Sequence, residues 1–262
     1  QAFSLGGGVG PKSKQFGKHA YRTHAPLVGG ITTVLEGSTL FDTLMLNLLT
    51  YGENMPPGVP GKPSSDSPVW ERDEPVKPSG EGKSKERWTR PCTGYLDLLT
   101  WQNRCVRLLP EDEGVRHMYY AQGEILDKDS RPREPMWFYR LNHGEEVPVF
   151  LQPGRALWRN SDSLFAFSAQ GSSERRPRAF WQAGRLSSEG ELPRKHQWQC
   201  SLMTLANRRA KPILWAHEEL PVPSALLRDE NLVRALSTEL SRCESVGQAL
   251  WDEHDRDDDC RH

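Results

Sequence analysis

The stretch GGITTVLEGSTLFDTLMLNLL at residues 29–49 sets the fold class. Gly29-Gly30 precede the β-branched run Ile31-Thr32-Thr33-Val34-Leu35, which fits a short strand. Glu36-Gly37 turns the chain, and Ser38 or Thr39 stands where a hydroxyl can accept the first free amides of a helix. Leu40, Phe41, Leu44, Met45, Leu48 and Leu49 then fall on one face at helical spacing. A strand that turns directly into a helix, both expected to be mostly buried, points to α and β elements in one core.

Downstream, residues 54–87 break the pattern: Pro, Gly and Ser fill 16 of these 34 positions. So little apolar surface cannot offset the entropy of ordering, and the segment reads as a surface excursion. Trp70, an isolated aromatic within it, is expected to pin the excursion back onto the body. Beyond it the signal is β. Tyr95–Trp101 and Arg104–Leu108, parted by Gln102-Asn103, read as a hairpin. Val115–Leu126, Met136–Leu141 and Val147–Leu151 continue as short strands, with turns at Gly123, Asp129–Pro135 and His143-Gly144. Near the end, Leu232, Val233, Leu236, Leu240, Cys243, Val246 and Leu250 recur at three- and four-residue steps, an amphipathic helix that needs partners. The expected fold is therefore α+β: an irregular mixed or antiparallel β-rich core with a few helices.

The chain has 262 residues, of which 36% are hydrophobic and 26% charged. No run approaches the roughly 20 apolar residues of a membrane span, and nothing after Gln1 has the layout of a signal peptide, so a cytoplasmic protein is expected. That the chain opens on Gln1 and not Met suggests that it does not begin at its own start codon. Cys92, Cys105, Cys200, Cys243 and Cys260 are odd in number and never spaced C-x-x-C, against a disulfide framework or a structural zinc site. The net charge of −1 conceals an asymmetry: residues 252–262 carry −4, leaving +3 on the rest. Residues 171–211 alone carry +6, with Trp181 and Trp198 among the cations, a pattern suited to a polyanion or to a solvated surface.

Chemistry-bearing motifs are few. Residues 5–13 (LGGGVGPKS) suggest a phosphate loop, but Pro11 occupies the second required glycine and offers no N–H. What remains is a glycine run where backbone approaches a ligand closely, flanked by Lys12, Lys14 and Lys18, or a plain flexible loop. The histidines show no ligand spacing, and the His/Asp-rich end, Glu253 to His262, reads as a solvated, disordered tail and not a metal cage. No nucleophile, base or metal motif supports an enzyme. Trp158, Phe165, Phe167, Phe180, Trp181 and Trp198 read as core sooner than as a stacking platform. Asn207-Arg208-Arg209-Ala210-Lys211-Pro212 reads as an exposed turn able to touch a phosphate backbone.

Taken in order, LGGGVG (5–10), HAPLVGGITTVLEGSTLFDTLMLNLLT (24–50), SPVWERDEP (67–75), TGYLDLLTWQNRCVRL (93–108), PGRALWRN (153–160) and KPILWAHEELPVP (211–223) resemble the CasA-type large subunit of the type I-E CRISPR surveillance complex, Cascade. The resemblance implies an interior section of a longer subunit, lacking the region before the glycine loop and most of a C-terminal four-helix bundle. On that basis 1–222 belong to a large α+β domain, 223–251 to the first bundle helix and 252–262 to an acidic tail.

The function implied is non-catalytic, with no cofactor and no metal. Guide RNA reads the target by base pairing, and the subunit checks the short adjacent motif, the PAM, in the double-stranded target DNA. It does so largely from the minor groove, whose degenerate code suits tolerance of several motifs. It also helps open the duplex and docks the helicase–nuclease of antiviral defence; the other Cascade subunits and the guide RNA are the remaining partners. The implied DNA contacts are a glycine loop at Ser4, Gly6, Gly7 and Gly8, a lysine finger at Lys128 (with Lys12 or Lys14 as substitutes) and a wedge at Arg209, Ala210 and Lys211. The wedge departs from the family pattern, with Ala210 where a Gln is expected. Two other classes stay open: a metal-dependent nuclease or hydrolase using the tail, and a purely architectural subunit.

Overall fold

The computed structural model describes residues 26–48, 66–71, 89–101, 104–112, 114–122, 125–126, 133–168, 175–208 and 211–259. A single helical turn, α1 (Pro26–Gly29), leads into strand β1 (Thr32–Glu36), with Ile31 and Leu35 fully buried. Helix α2 (Leu40–Asn47) follows, capped by Thr39, whose hydroxyl oxygen accepts the Asp42 N–H at 3.1 Å. The strand, the turn and the cap agree with the sequence reading.

The burial of α2 does not. Leu40, Phe41, Leu44, Met45 and Leu48 are 44–75% exposed, and no residue of the helix is buried. Polar contacts hold the helix in place. Asn47 imitates a strand edge: its Oδ1 accepts the Leu35 N–H at 3.1 Å and its Nδ2 donates to the Leu35 and Thr43 carbonyls at 2.6 and 2.8 Å. Spacing identified the helix, but an apolar stripe alone does not say which side faces the core.

The chain divides into two compact units. The first comprises Gln1–Ile31, Leu49–Pro135 and Met203–Ala216; the second comprises Thr32–Leu48, Met136–Leu202 and His217–His262. In the first unit, β2 (Thr89–Arg90) pairs in parallel with β5 (Ile125–Leu126). Strands β3 (Arg104–Glu111) and β4 (Gly114–Gln122) form an antiparallel ribbon, with a register shift at Leu109/Pro110.

Two expectations fail in this unit. Tyr95–Thr100 is helix α3, not the first arm of a hairpin, and β3 pairs forward with β4. The cause lies 30 residues upstream: the Asp66 carboxylate accepts the N–H groups of Leu96 and Asp97 at 2.9 and 3.0 Å, capping a helix whose own N-cap is Gly94. Gly94 permits this approach, because a Cβ there would collide with the Asp66 carboxylate. Trp70, expected to pin the excursion, is 67% exposed. Asp66 does the pinning, together with the Val69 N–H, which donates to the Thr100 hydroxyl at 2.9 Å.

The second unit carries the apolar core. Phe138, Phe165 and Phe180 are essentially buried with Leu157, Leu164, Leu202 and Val222, and the Phe165 and Phe180 rings lie 5.5 Å apart. Trp198 is buried too, so Phe165, Phe180 and Trp198 are core as the sequence suggested, whereas Phe167 and Trp181 are half-buried under guanidiniums and Trp158 is 40% exposed. Strands β6 (Tyr139–Asn142) and β7 (Glu145–Pro148) form a hairpin closed by His143 and Gly144, both at positive φ, as a two-residue hairpin turn requires. A short helix, α4 (Ser161–Leu164), and an amphipathic one, α5 (Arg178–Glu189), pack around the core. Long strands β8 (Gln197–Arg208) and β9 (Lys211–Pro223) join β1 in a sheet of order β1-β8-β9. The chain ends in helix α6 (Glu230–Asp259), which runs well into the segment read as a disordered acidic tail. No helix among the described residues is long and apolar enough to cross a membrane. The fold is α+β, as expected.

Candidate nucleic-acid interface

Strands β8 and β9 are neighbours in one sheet and are separated by two residues, so they pair as an antiparallel hairpin. In the first unit, β8 is fastened by Thr204, whose buried hydroxyl donates to the Gly30 carbonyl at 3.3 Å. Lys211 is the first residue of β9. Arg209 and Ala210 lie outside the described residues, as do Ser4, Gly6, Gly7, Gly8, Lys12 and Lys128. Of the implied contacts, only Lys211 is therefore placed, and only by its backbone.

The strand that precedes Lys128 in sequence is better defined. That residue follows β5 by two positions, and β5 is held in register with β2 as Thr89↔Ile125 and Arg90↔Leu126. Arg90 forks onto Asp97 with two bonds of 2.7 Å, and Asp97, fully buried, also accepts the Thr93 N–H at 2.9 Å and hydroxyl at 3.1 Å. Burial with four donors makes this a fixed support. Cys92 lies in the same knot, and burial pushes its thiol up to about 11. Sequence reasoning missed Asp66, Arg90, Thr93 and Asp97; the conjunction of SPVW and TGYLD motifs was the available signal.

The basic segment divides in two. Arg176 and Arg178 are buried in the second unit: Arg176 lies over the Phe167 ring at 4.2 Å and donates to the Leu227 carbonyl at 3.1 Å, while Arg178 stacks on Trp181 at 4.0 Å. These guanidiniums build the fold and do not face a polyanion. Arg194 and Lys195 are exposed.

A further cluster in the second unit had no sequence signal. The Ser201 hydroxyl donates to Glu36 and lies 3.1 Å from His217 Nε2. The hydroxyl is the middle member, whereas nucleophilic activation places the imidazole between hydroxyl and carboxylate. The trio joins β1, β8 and β9, and its geometry is structural. Among the described residues no three His, Cys, Asp or Glu side chains gather to hold a metal.

Residues 1–254 match the family described as CRISPR-associated protein Cse1. The chain belongs to the Cse1 family. A relative from Thermus thermophilus, CRISPR-associated protein CasA/Cse1, is 29% identical over 256 residues, which are 95% of this chain and 45% of that protein. The structure of Thermus thermophilus CasA (Cse1) superposes with a TM-score of 0.60 at 29% identity, covering 86% of this chain and 46% of that one. A chain of a structure titled CRISPR RNA-guided surveillance complex shares the fold, with a TM-score of 0.59 at 19% identity over 86% of this chain and 43% of its own. The chain thus spans about half the length of the Cse1 relatives it matches.

Two of the stretches that carry the Cse1 resemblance act as scaffolding. In PGRALWRN, the Leu157 and Trp158 N–H groups donate to the Glu218 carboxylate of KPILWAHEELPVP at 2.7 and 3.1 Å. Arg155 and Arg159 then pair with Glu244 of α6 at 3.0 and 3.6 Å. One turn is thereby tied to strand β9 on one side and to helix α6 on the other.

Proposed function

We propose that this chain is the DNA-recognising section of the large subunit of an RNA-guided CRISPR surveillance complex, acting in the cytoplasm. It reads the PAM from the minor groove of the target duplex, helps to separate the strands and docks the helicase–nuclease. It binds and does not react. The Cse1 match over residues 1–254, which takes in the glycine run, carries this reading. The long β8–β9 hairpin supports it, since Lys211 opens its second strand and Arg208 closes its first. Glycines at 6–8 suit close approach of backbone to base edges, because no Cβ intervenes.

The test is the affinity of the assembled complex for PAM-bearing against PAM-less duplex. Lys128→Ala and Gly7→Asp are expected to weaken PAM-bearing target by about 5- to 100-fold and to narrow the difference between the two duplexes. Unchanged discrimination in both variants overturns the site. Affinity should also fall steeply with salt, as phosphate contacts require.

An architectural subunit is the second reading, favoured by Arg176 and Arg178, which spend their charge on aromatic rings of the protein itself. It predicts a complex that assembles with this chain yet binds PAM-bearing and PAM-less DNA alike.

A further inference from the structure

A cavity of about 390 Å³ opens in the second unit between α2, α5 and the chain that enters β8. Its wall is mostly apolar: Met45 and Leu46 come from α2, Leu186 from α5, and Leu192 and Trp198 from the segment around the start of β8. Its polar groups are chiefly acceptors. The Asp42 carboxylate takes the Ser38 hydroxyl at 2.6 Å, and the hydroxyls of Ser38 and Thr39 hold it below the usual carboxylate range, so it stays charged. Gln182 is only 7% exposed; its Nε2 donates to the Leu48 carbonyl at 2.9 Å, while its Oε1 accepts no bond among the described residues. No lysine or arginine among the described residues lines the cavity to balance Asp42. Met45 also belongs to the exposed stripe of α2, with Phe41 and Leu48 one turn away on either side.

We infer that this cavity is the socket for an arginine side chain of a partner protein, with its stem along Met45, Leu46 and Leu186 and its guanidinium on Asp42 and the Gln182 Oε1. Charge selects the occupant. A phosphate would meet an unbalanced carboxylate, and an apolar side chain would leave both acceptors dry and unpaired. An arginine brings a long apolar stem, a positive charge and several donors in one plane, so it serves a carboxylate and an amide oxygen together, where a lysine offers a single point. Arginines seated in pockets are frequent anchors of protein interfaces. Apolar residues flanking that arginine then cover the α2 stripe around Met45. The inference draws on none of the DNA contacts and adds a protein-docking site to them.

The experiment uses the intact chain carrying carbon-13 at the methyls of its five methionines. The probe is a short acetylated peptide with one arginine between leucines; its twin carries citrulline, which keeps the shape and loses the charge. At millimolar concentration the arginine peptide is expected to shift the Met45 methyl signal and leave that of Met136 unmoved. The citrulline twin should bind at least about tenfold more weakly, because hydrogen bonds to charged groups are the stronger ones. Asp42→Asn should erase that difference. Since Asp42 also helps to cap α2, Leu186→Phe is the second variant: it fills the socket, leaves the polar groups in place and should abolish the shift with both peptides. Equal binding of the two peptides to the unaltered chain overturns the inference, as does an unmoved Met45 signal or a shift that persists in Leu186→Phe. N-butylguanidine binding as tightly as the peptide also overturns it, because the site then takes a free cation and the α2 stripe contributes nothing.

Discussion

The two units bury different chemistry. Around Phe180 the second unit packs Phe138, Leu157, Leu164, Phe165 and Leu202 with few polar atoms. Around Asp97 the first unit buries Asp66, Asp97 and Thr100 and threads them with hydrogen bonds from Arg90, Thr93, Leu96 and Val69. An apolar core tolerates small shifts, because dispersion and solvent exclusion have no direction. The polar knot depends on every partner, since a buried carboxylate without its donors is far more costly than an imperfectly packed methyl.

The contrast is sharpest in a pair of truncations. Phe180→Ala should destabilise the second unit by about 3–5 kcal/mol through lost burial and the cavity left behind. Asp97→Ala should cost about as much, roughly 3–5 kcal/mol, for a different reason: it strips the guanidinium of Arg90 of its carboxylate. Denaturant midpoints of the intact protein measure both. A cycle with Arg90→Met separates them. Removing both partners at the ion pair should cost well under the sum of the single changes, whereas Phe180→Ala and Arg90→Met should add. Additivity at Asp97 would mean that the knot is not a unit.

The same contrast decides what the sequence could show. Aromatic spacing and strand–turn signals located β1, α2, the β6–β7 hairpin and the core rings, because local periodicity and burial are written in neighbouring residues. Helix α3 carries the local pattern of a strand, because its capping carboxylate, Asp66, stands 30 residues away in a stretch rich in Pro and Ser. The exposed face of α2 was equally hidden: Asn47, a single polar residue, sets the orientation of the helix. At the candidate interface the family motifs are legible, yet PGRALWRN and Glu218 prove to be a tie between strand β9 and helix α6.

A smaller perturbation probes how tightly the knot is drawn. Gly94→Ala drives a Cβ into the Asp66 carboxylate, which must then leave the end of α3. A loss of about 1–3 kcal/mol is expected. Amide exchange at Leu96 and Asp97 should quicken while exchange in α5 stays unchanged. Equal acceleration in α5 would show that the two units do not respond separately.

Among the described side chains, each unit also holds one buried thiol. Burial raises Cys92 to about 11 and Cys200 to about 12 from an ordinary value near 9. A raised folded value means that the unfolded chain releases its proton first, so stability is complete below pH 9 and declines as pH climbs toward 11 and 12. By pH 10 each thiol should withdraw on the order of 1 kcal/mol, and replacement of either by Ser or Ala should flatten that decline. Among Cys92, Cys200 and Cys243, labelling at neutral pH should reach exposed Cys243 first and Cys200 last, with Cys92 between them because its shell is polar.

The least effect is expected where the same guanidinium–carboxylate chemistry lies at the surface. Glu244 of α6 takes Arg155 and Arg159 at 3.0 and 3.6 Å, but all three side chains are about a third or more exposed. Water screens such pairs, so Glu244→Ala should cost no more than about 1 kcal/mol, and most of that should vanish at about 1 M salt. Arg90–Asp97, at 2.7 Å with its carboxylate fully buried, should keep its contribution at the same ionic strength. Salt titration of the two single variants therefore contrasts a screened surface carboxylate with a buried one that is forked by its arginine. Past Glu244 every side chain of α6 as far as Trp251 is exposed, including Val246, Leu250 and Trp251. Hydrogen exchange in Glu244→Ala should consequently rise only from that point toward the C-terminus of the helix, leaving the turn around buried Val233 protected.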